Sequence, residues 1–310
     1  MATTQIKLPL IDFTKLEEEG LVTGTPVWIN VRDQVKLALQ EIGSFEAVFG
    51  EIVPVEVRDS AVGVLHDVFD LPLGSMAGAD SLLDKIYYRN GKRSESIRLD
   101  NKFGTSNIES DEGAKRICKC LWPQGEPPHS RVNIQTYAEK ISQVEQLIRK
   151  IVLESFGCEK YLEEHLGSSH YFFGWNKYEA TGTADREQLL KGHTDKTFLT
   201  ILYQNGVDGL EIQTNDGEWS LVHQQQPNSF FVMVGDSFHA WSNGRLRPPM
   251  HRVTLGGFDT RYVIGIFAMP KPGCVVSAPD EVVDEEHPLR LQALEIGDAF
   301  YKYNSNPNGA

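Results

Sequence analysis

The stretch GHTDKTFLTIL, residues 192 to 202, sets an imidazole and a carboxylate two residues apart, directly before a run that reads as a β-strand. In extended backbone, residues i and i+2 face the same way, so His193 and Asp195 can present a ring nitrogen and a carboxylate oxygen to one point while Thr194 turns away. Two such groups are cis ligands for a metal ion. A third on the same side would complete one face of an octahedron and leave positions open for substrates. Among the remaining histidines His251 stands out, because it opens the strand-like run HRVTL after the loop SNGRLRPPM, where a neighbouring strand could lie beside His193. A lone His-x-Asp is common by chance, and by itself it reads as a surface pair or a local hydrogen bond. Its context argues otherwise.

Ten residues after His251 comes Arg261, in the run TRYVIGIFAMP, which alternates Arg261, Val263, Gly265 and Phe267 onto one face and Tyr262, Ile264 and Ile266 onto the other. An arginine on the inner face of a β-barrel needs an anion to offset its desolvation. A guanidinium fork accepts a carboxylate bidentately, so a dicarboxylate cosubstrate answers that need. Two histidines and one carboxylate with open positions form the facial triad of non-haem Fe(II) oxygenases. By the same alternation HYFFGWNKY turns Phe172, Gly174, Asn176 and Tyr178 inward together.

The elements that must position these residues change character near residue 168. Beyond it, short apolar runs (HYFFGWNKY, TFLTILYQ, GLEIQT, EWSLVH, SFFVMVG, HRVTL, RYVIGIFAM) alternate with turn pairs such as Asn205-Gly206 and Asp216-Gly217, which suits an antiparallel sandwich or barrel. Before it, VRDQVKLALQEI and VEVRDSAVGVLHDVFDLP read as helices, the second closed by Pro72. Residues 88–131 lack a clear period and read as loop with one short helix. YAEKISQVEQLIRKIVLESFG follows a period of about 3.6 and stops at Gly157. The segment PDEVVDEEHPLRLQALEIGDAFYKY returns to helical or mixed character. The expected architecture is therefore α+β with a mainly β core: a helical region over 1–165, the core over 166–275, and a C-terminal helical lid over 276–310.

Composition narrows the classes of partner. The 310 residues carry 30 Lys and Arg against 43 Asp and Glu, and the net charge of −13 repels both a phosphate backbone and an anionic membrane. Cys118, Cys120, Cys158 and Cys274 are too few and scattered for a disulfide framework, which fits a reducing compartment. No apolar run approaches the roughly 20 residues that span a bilayer. The expectation is a cytoplasmic protein with no nucleic-acid or membrane partner.

Taken in order, LPLIDF, GHTDKTFLTIL, DGLEI, DGEWSLV, FVMVGDSFHAWSNGRLRPPMHRV, TRYVIGIFAMP and PDEVVDEEHPL resemble a plant Fe(II)- and 2-oxoglutarate-dependent dioxygenase, and they cover nearly the whole chain. Within that family the chain is most similar to the branch acting on glucosinolate side chains and its relatives in specialised metabolism. The resemblance implies a double-stranded β-helix, or jelly roll, wrapped by N-terminal and C-terminal helices, with Fe(II) on His193, Asp195 and His251. It implies 2-oxoglutarate with its keto acid end on the metal and its far carboxylate on Arg261, helped by Tyr178 of the Asn-x-Tyr motif. Phe267, six residues beyond the arginine, takes the place of the aromatic that stacks on the organic substrate, with Phe172 and Asn176 on the same side. The implied reaction uses O2 to oxidise a small plant metabolite by hydroxylation, demethylation, desaturation or ring closure, and releases succinate and carbon dioxide. Stimulation by ascorbate and a monomeric state complete the expectation.

One position departs from the family. The usual Arg-x-Ser, whose hydroxyl shares the far carboxylate, reads Arg261-Tyr262-Val263 here. A lost hydrogen bond to a charged group costs roughly 1.5 to 3 kcal/mol, so cosubstrate binding is expected to weaken unless another group replaces the hydroxyl. Val263 thereby motivates the alternative of a jelly-roll small-molecule binding protein impaired in catalysis. Other conspicuous residues have plainer readings: Trp175, Trp219 and Trp241 as packing, His239 as a hydrogen-bonded strand histidine, and DEVVDEEH as a solvated face.

Overall fold

The computed structural model describes residues 4–71, 94–100 and 108–297. The helix stop expected at Pro72, part of the loop expected over 88–131, and the end of the C-terminal segment lie outside them. Two mixed sheets form the frame. The smaller has the order β1-β9-β8-β11-β6, from β1 (Gln5–Ile6), β6 (Thr183–His193), β8 (Leu210–Gln213), β9 (Trp219–Val222) and β11 (His251–Gly257). The larger has the order β2-β3-β10-β7-β12-β5-β4, from β2 (Leu10–Asp12), β3 (Ser44–Val48), β4 (Ser94–Asp100), β5 (Ser169–Tyr178), β7 (Leu199–Gln204), β10 (Phe230–Val234) and β12 (Arg261–Pro270). Together they make the jelly roll.

Alternation along the larger sheet divides its side chains between two cores. Ile201 and Tyr203 of β7, Val232 of β10, and Ile264 and Ile266 of β12 face outward and pack under helices. The helices are α1 (Thr14–Glu18), α2 (Pro26–Glu41), α3 (Val55–Phe69), α4 (Asp111–Leu121), α5 (Ser130–Ser155), α6 (Leu162–Gly167) and α7 (Asp236–Trp241). Trp28 and Val35 of α2, Leu65 of α3 and Ile141, Val144 and Ile148 of α5 supply the other half of that core. Leu202, Met233 and Val263 point the opposite way and meet Leu189, Leu210, Ile212 and Leu255 of the smaller sheet. A strand buried on both faces reads as a continuous apolar run, which is why FFVMV and VIGIF are so uniformly hydrophobic.

Several elements differ from the sequence reading. β4 lies within a span read as loop, because SESIRLD is short and half polar; its Ile97 and Leu99 turn outward under the helices while Ser94, Ser96 and Arg98 face the interior. With β2 and β3, it makes the N-terminal region part of the main sheet rather than a helical layer alone. β6 was not foreseen either: TADREQLLKGH is polar and mostly exposed, as suits a strand that, among the described residues, lies at the sheet edge beside β11. The helical lid expected over 276–310 is absent among its described residues. Residues 276–297 hold a 3₁₀ turn at Asp280–Val282 and a short pairing of β13 (Val275–Val276) with β14 (Leu294–Glu295). Pro279, Pro288 and closely spaced acidic residues give that stretch too little uninterrupted apolar period for an α-helix. Buried Val282 anchors it, and the acidic side chains of the run face largely outward.

Candidate metal and cosubstrate site

His193 ends β6 and His251 begins β11, and the two are register partners across the antiparallel pair. Asp195 follows in the loop that leads to β7. The sequence reading set His193 and Asp195 together at the mouth of the following strand; instead the histidine belongs to the preceding one. The convergence is nevertheless close. One ligand atom from each of the three residues lies within 4.8 Å of the others. The Nε2 atoms of His193 and His251 stand 3.7 and 3.9 Å from Asp195 Oδ1.

The surroundings prepare these atoms for a cation. His193 Nδ1 donates to the Lys191 carbonyl at 2.9 Å and His251 Nδ1 to the Pro249 carbonyl at 3.2 Å, so on each ring Nε2 is the nitrogen left for the centre. Burial, and then the neighbouring His193, push the His251 pKa down to about 4, against the pull of Asp195, which favours the neutral form a metal requires. Thr200 Oγ donates to Asp195 Oδ2 at 2.7 Å, leaving Oδ1 toward the histidines. Thr200 is in turn 3.0 Å from the Thr197 hydroxyl. A hard carboxylate and two imidazoles on one side of a pocket suit a divalent transition metal such as Fe(II).

The pocket wall is built in ranks across β4, β5, β12 and β7. Ser94, Tyr178 and Arg261 share one rank; Ser96, Asn176, Val263 and Gln204 the next; Arg98, Gly174, Gly265 and Leu202 the third; Phe172, Phe267 and Thr200 the fourth. All nine residues singled out from the sequence border this one pocket: His193, Asp195, His251, Arg261, Tyr178, Val263, Phe172, Asn176 and Phe267. Arg261 is 1% exposed and has no carboxylate within 4.0 Å among the described residues. Its guanidinium lies over the Tyr178 ring at 5.5 Å. Burial pushes its pKa down to about 10, with Tyr178 and Asp208 acting in the opposite sense. A desolvated cation on a pocket wall is a receptor for a carboxylate, so the residues fit a dicarboxylic cosubstrate.

At the fourth rank Phe172 and Phe267 stack with centroids 4.2 Å apart and planes 6° from parallel. The two glycines of the third rank make this possible. A Cβ on Gly174 would stand 2.9 Å, and on Gly265 2.6 Å, from the Phe267 ring. Arg98 lies over the Phe172 ring, 5.2 Å from its centroid. Asn176 accepts from Ser96 Oγ at 2.7 Å.

Sequence reasoning missed Thr200, Gln204 and the inward face of β4. The alternation in TILYQ would have put Thr200, Leu202 and Gln204 on one face, but neither a threonine nor a glutamine announces chemistry. Two plainer readings stand with one amendment. Trp175 and Trp241 are buried in packing. His239 donates from Nδ1 to the Leu246 carbonyl, although it sits on α7 rather than on a strand.

A jelly roll that gathers two histidines, a carboxylate and a buried arginine around one pocket defines a metal-dependent oxygenase of the cosubstrate-binding kind. The family model of the 2OG-Fe(II) oxygenase superfamily matches residues 169–270. The chain is 34% identical to "Probable 2-oxoglutarate-dependent dioxygenase AOP1" of Arabidopsis thaliana, over 98% of each chain. Among solved structures it is similar to the rice dioxygenase for auxin oxidation, with a TM-score of 0.78, 26% identity and coverage of 96% and 94% of the two chains. The corresponding Arabidopsis thaliana enzyme in its binary complex with 2-oxoglutarate gives a TM-score of 0.75 at 25% identity, over 91% of this chain and 99% of that one. The chain belongs to the 2OG-Fe(II) oxygenase superfamily. It is a 2-oxoglutarate-dependent dioxygenase, an oxidoreductase that uses Fe(II), 2-oxoglutarate and O2.

Proposed function

We propose that His193, Asp195 and His251 hold the Fe(II), that Arg261 and Tyr178 receive the far carboxylate of 2-oxoglutarate beside Val263, and that Phe172, Asn176 and Phe267 border the organic substrate. The observation that carries this reading is that the three clustered ligands and a buried arginine with no carboxylate partner among the described residues border the same pocket. Iron with 2-oxoglutarate and O2 supplies the oxidising power, converting the cosubstrate to succinate and carbon dioxide while the organic substrate is oxidised. The chain's own residues decide where that power acts. Nδ1–H bonds to backbone carbonyls orient both imidazoles, Thr200 holds the second oxygen of Asp195, and the Phe172–Phe267 stack presents a flat apolar wall that excludes water from one side.

The substrate on this reading is a small organic metabolite that is hydroxylated, demethylated, desaturated or ring-closed. Residues 166–275 act as the catalytic core and the N-terminal helices as its support. Among the described residues no helix is long and apolar enough to cross a membrane, and a cytoplasmic monomer without nucleic-acid partners accords with the charge of −13. Anaerobic titration with Fe(II) and then 2-oxoglutarate tests the site. The expected outcome is a visible charge-transfer band in the wild type that His251→Ala abolishes. A band of full intensity in His251→Ala would displace that residue from the ligand set.

A further inference from the structure

We propose that Gln204 is the positioning residue that holds Arg261 for the cosubstrate, in place of the hydroxyl that Val263 cannot provide. The inference rests on the reading that Arg261 receives the far carboxylate of 2-oxoglutarate. Gln204 and Val263 are register partners on β7 and β12, and Gln204 shares the strand face of the pocket residues Thr200 and Leu202, so its amide stands beside the position of the missing hydroxyl. Its Oε1 accepts from Arg261 Nε at 3.0 Å and from Nη2 at 2.7 Å. The Val207 carbonyl accepts from Nε as well, at 3.1 Å. Nη1 donates no hydrogen bond to a described residue, and Arg261 borders the cavity. One edge of the guanidinium is therefore tied to the protein, and the rest is left for an anion.

The orientation of the amide is determined by its other partners. Gln204 Nε2 donates to Asp208 Oδ1 at 3.3 Å and to Gln224 Oε1 at 3.1 Å. A carboxylate only accepts, so Asp208 obliges the NH₂ end to face it and the oxygen to face Arg261. Asp208 is itself fixed by His223 Nδ1 at 2.8 Å and by the Gln224 backbone N–H at 3.2 Å. The next residue leaves room for the arginine, since a Cβ on Gly209 would stand 2.7 Å from Arg261 Cδ.

The neutrality of the amide matters as much as its place. A carboxylate at 204 would grip the guanidinium equally well but would cancel its charge and repel a dicarboxylate ligand. A glutamine supplies the acceptor and keeps the charge. Asp208 acts one side chain further away, aligning the cation through the amide without pairing with it.

Calorimetric titration of the Mn(II)-loaded protein tests this, with 2-oxoglutarate and with 2-oxobutyrate, a 2-oxo acid that lacks the far carboxylate. In Gln204→Leu the 2-oxoglutarate Kd is expected to rise about tenfold or more, the worth of a hydrogen bond to a charged group. Affinity for Mn(II) and for 2-oxobutyrate should stay at the wild-type level. The double change Gln204→Glu with Asp208→Asn keeps the net charge and moves the negative group against Arg261; it should lose 2-oxoglutarate while retaining Mn(II). Wild-type 2-oxoglutarate affinity in either protein overturns the proposal, and so does a parallel loss of all three ligands in Gln204→Leu, which would mark a merely structural role. Should Gln204→Leu fail to fold, the double change decides by itself. A wild-type protein that binds 2-oxobutyrate as tightly as 2-oxoglutarate removes the premise about Arg261 instead, and that result is distinguishable from a failure at Gln204.

Discussion

Asp195 has two neighbours of different kinds, the histidine pair at Oδ1 and Thr200 at Oδ2, and the second bond decides which oxygen faces the metal. Thr200→Val keeps the shape and removes the donor. Partners of this kind are typically worth 10- to 100-fold in metal affinity, so Fe(II) or Mn(II) binding should weaken by about tenfold with little change in Tm. An unchanged metal Kd would show that the threonine serves packing alone. The ligands themselves should behave more sharply: His193→Ala, Asp195→Ala and His251→Ala are each expected to abolish turnover and tight metal binding while circular dichroism stays that of the wild type. The two histidines sit at strand ends and Asp195 in a loop, all beside a cavity and not inside either hydrophobic core, so their loss removes function before fold. Val263→Ser restores a hydroxyl next to the anchoring arginine, and a lower Kd for 2-oxoglutarate is the expected reading.

At the scale of elements, β12 and β5 work as one surface, with the Gly174–Gly265 pair cutting a slot that the Phe267 ring enters. Gly265→Ala would place a methyl 2.6 Å from that ring and 2.8 Å from Leu202, so the ring must leave its stack on Phe172. The expected result is a changed product distribution, or 2-oxoglutarate consumed without oxidation of the organic substrate, with Mn(II) affinity retained. Phe267→Ala should change the organic substrate's KM or the position of oxidation, again with metal binding intact; an effect on Tm alone would assign the ring to the core. Strands of this kind were legible in the sequence, because their alternation or continuous apolar character is local. β6 was not, since an exposed edge strand of charged residues has no apolar face to betray it. That hid the true place of His193 while leaving the His-x-Asp spacing visible. β4 had only Ile97 and Leu99 as signal, within seven residues. Gln204 was beyond reach for a further reason: its meaning comes from the register of β7 on β12, residues 57 apart in the chain, and a neutral amide carries no mark of its own.

At the scale of the whole molecule, the helical shell and the jelly roll are joined at a buried histidine. His165 of α6 packs its ring 4.4 Å from Phe198 at the entry to β7, and 5.3 and 5.1 Å from Phe238 and Trp241 of α7. Its carbonyl accepts from Arg149 Nη1 at 3.2 Å, and Arg149 is bonded to Glu145 on the same helix α5. Burial first, and then the Arg149 charge, hold the His165 pKa well below the ordinary histidine value. The sign of the consequence follows from proton binding. Between the unfolded pKa of about 6.5 and the lower folded one, the unfolded chain carries a proton that the native chain refuses, so stability falls as the pH falls through that window. Above about pH 6.5 neither state is protonated there and the term is constant. His251 acts in the same direction in metal-free protein, its folded pKa lying at about 4. Urea unfolding of the chelator-treated protein between pH 7 and 5 should therefore show declining stability, with each such histidine adding up to about 1.4 kcal/mol per pH unit. In His165→Phe the absolute stability will shift with the packing, but the slope against pH should flatten by up to one proton's worth. Slopes that coincide in the two proteins would mean that His165 takes up its proton in the folded state, and that the aromatic surround and Arg149 do not exclude it.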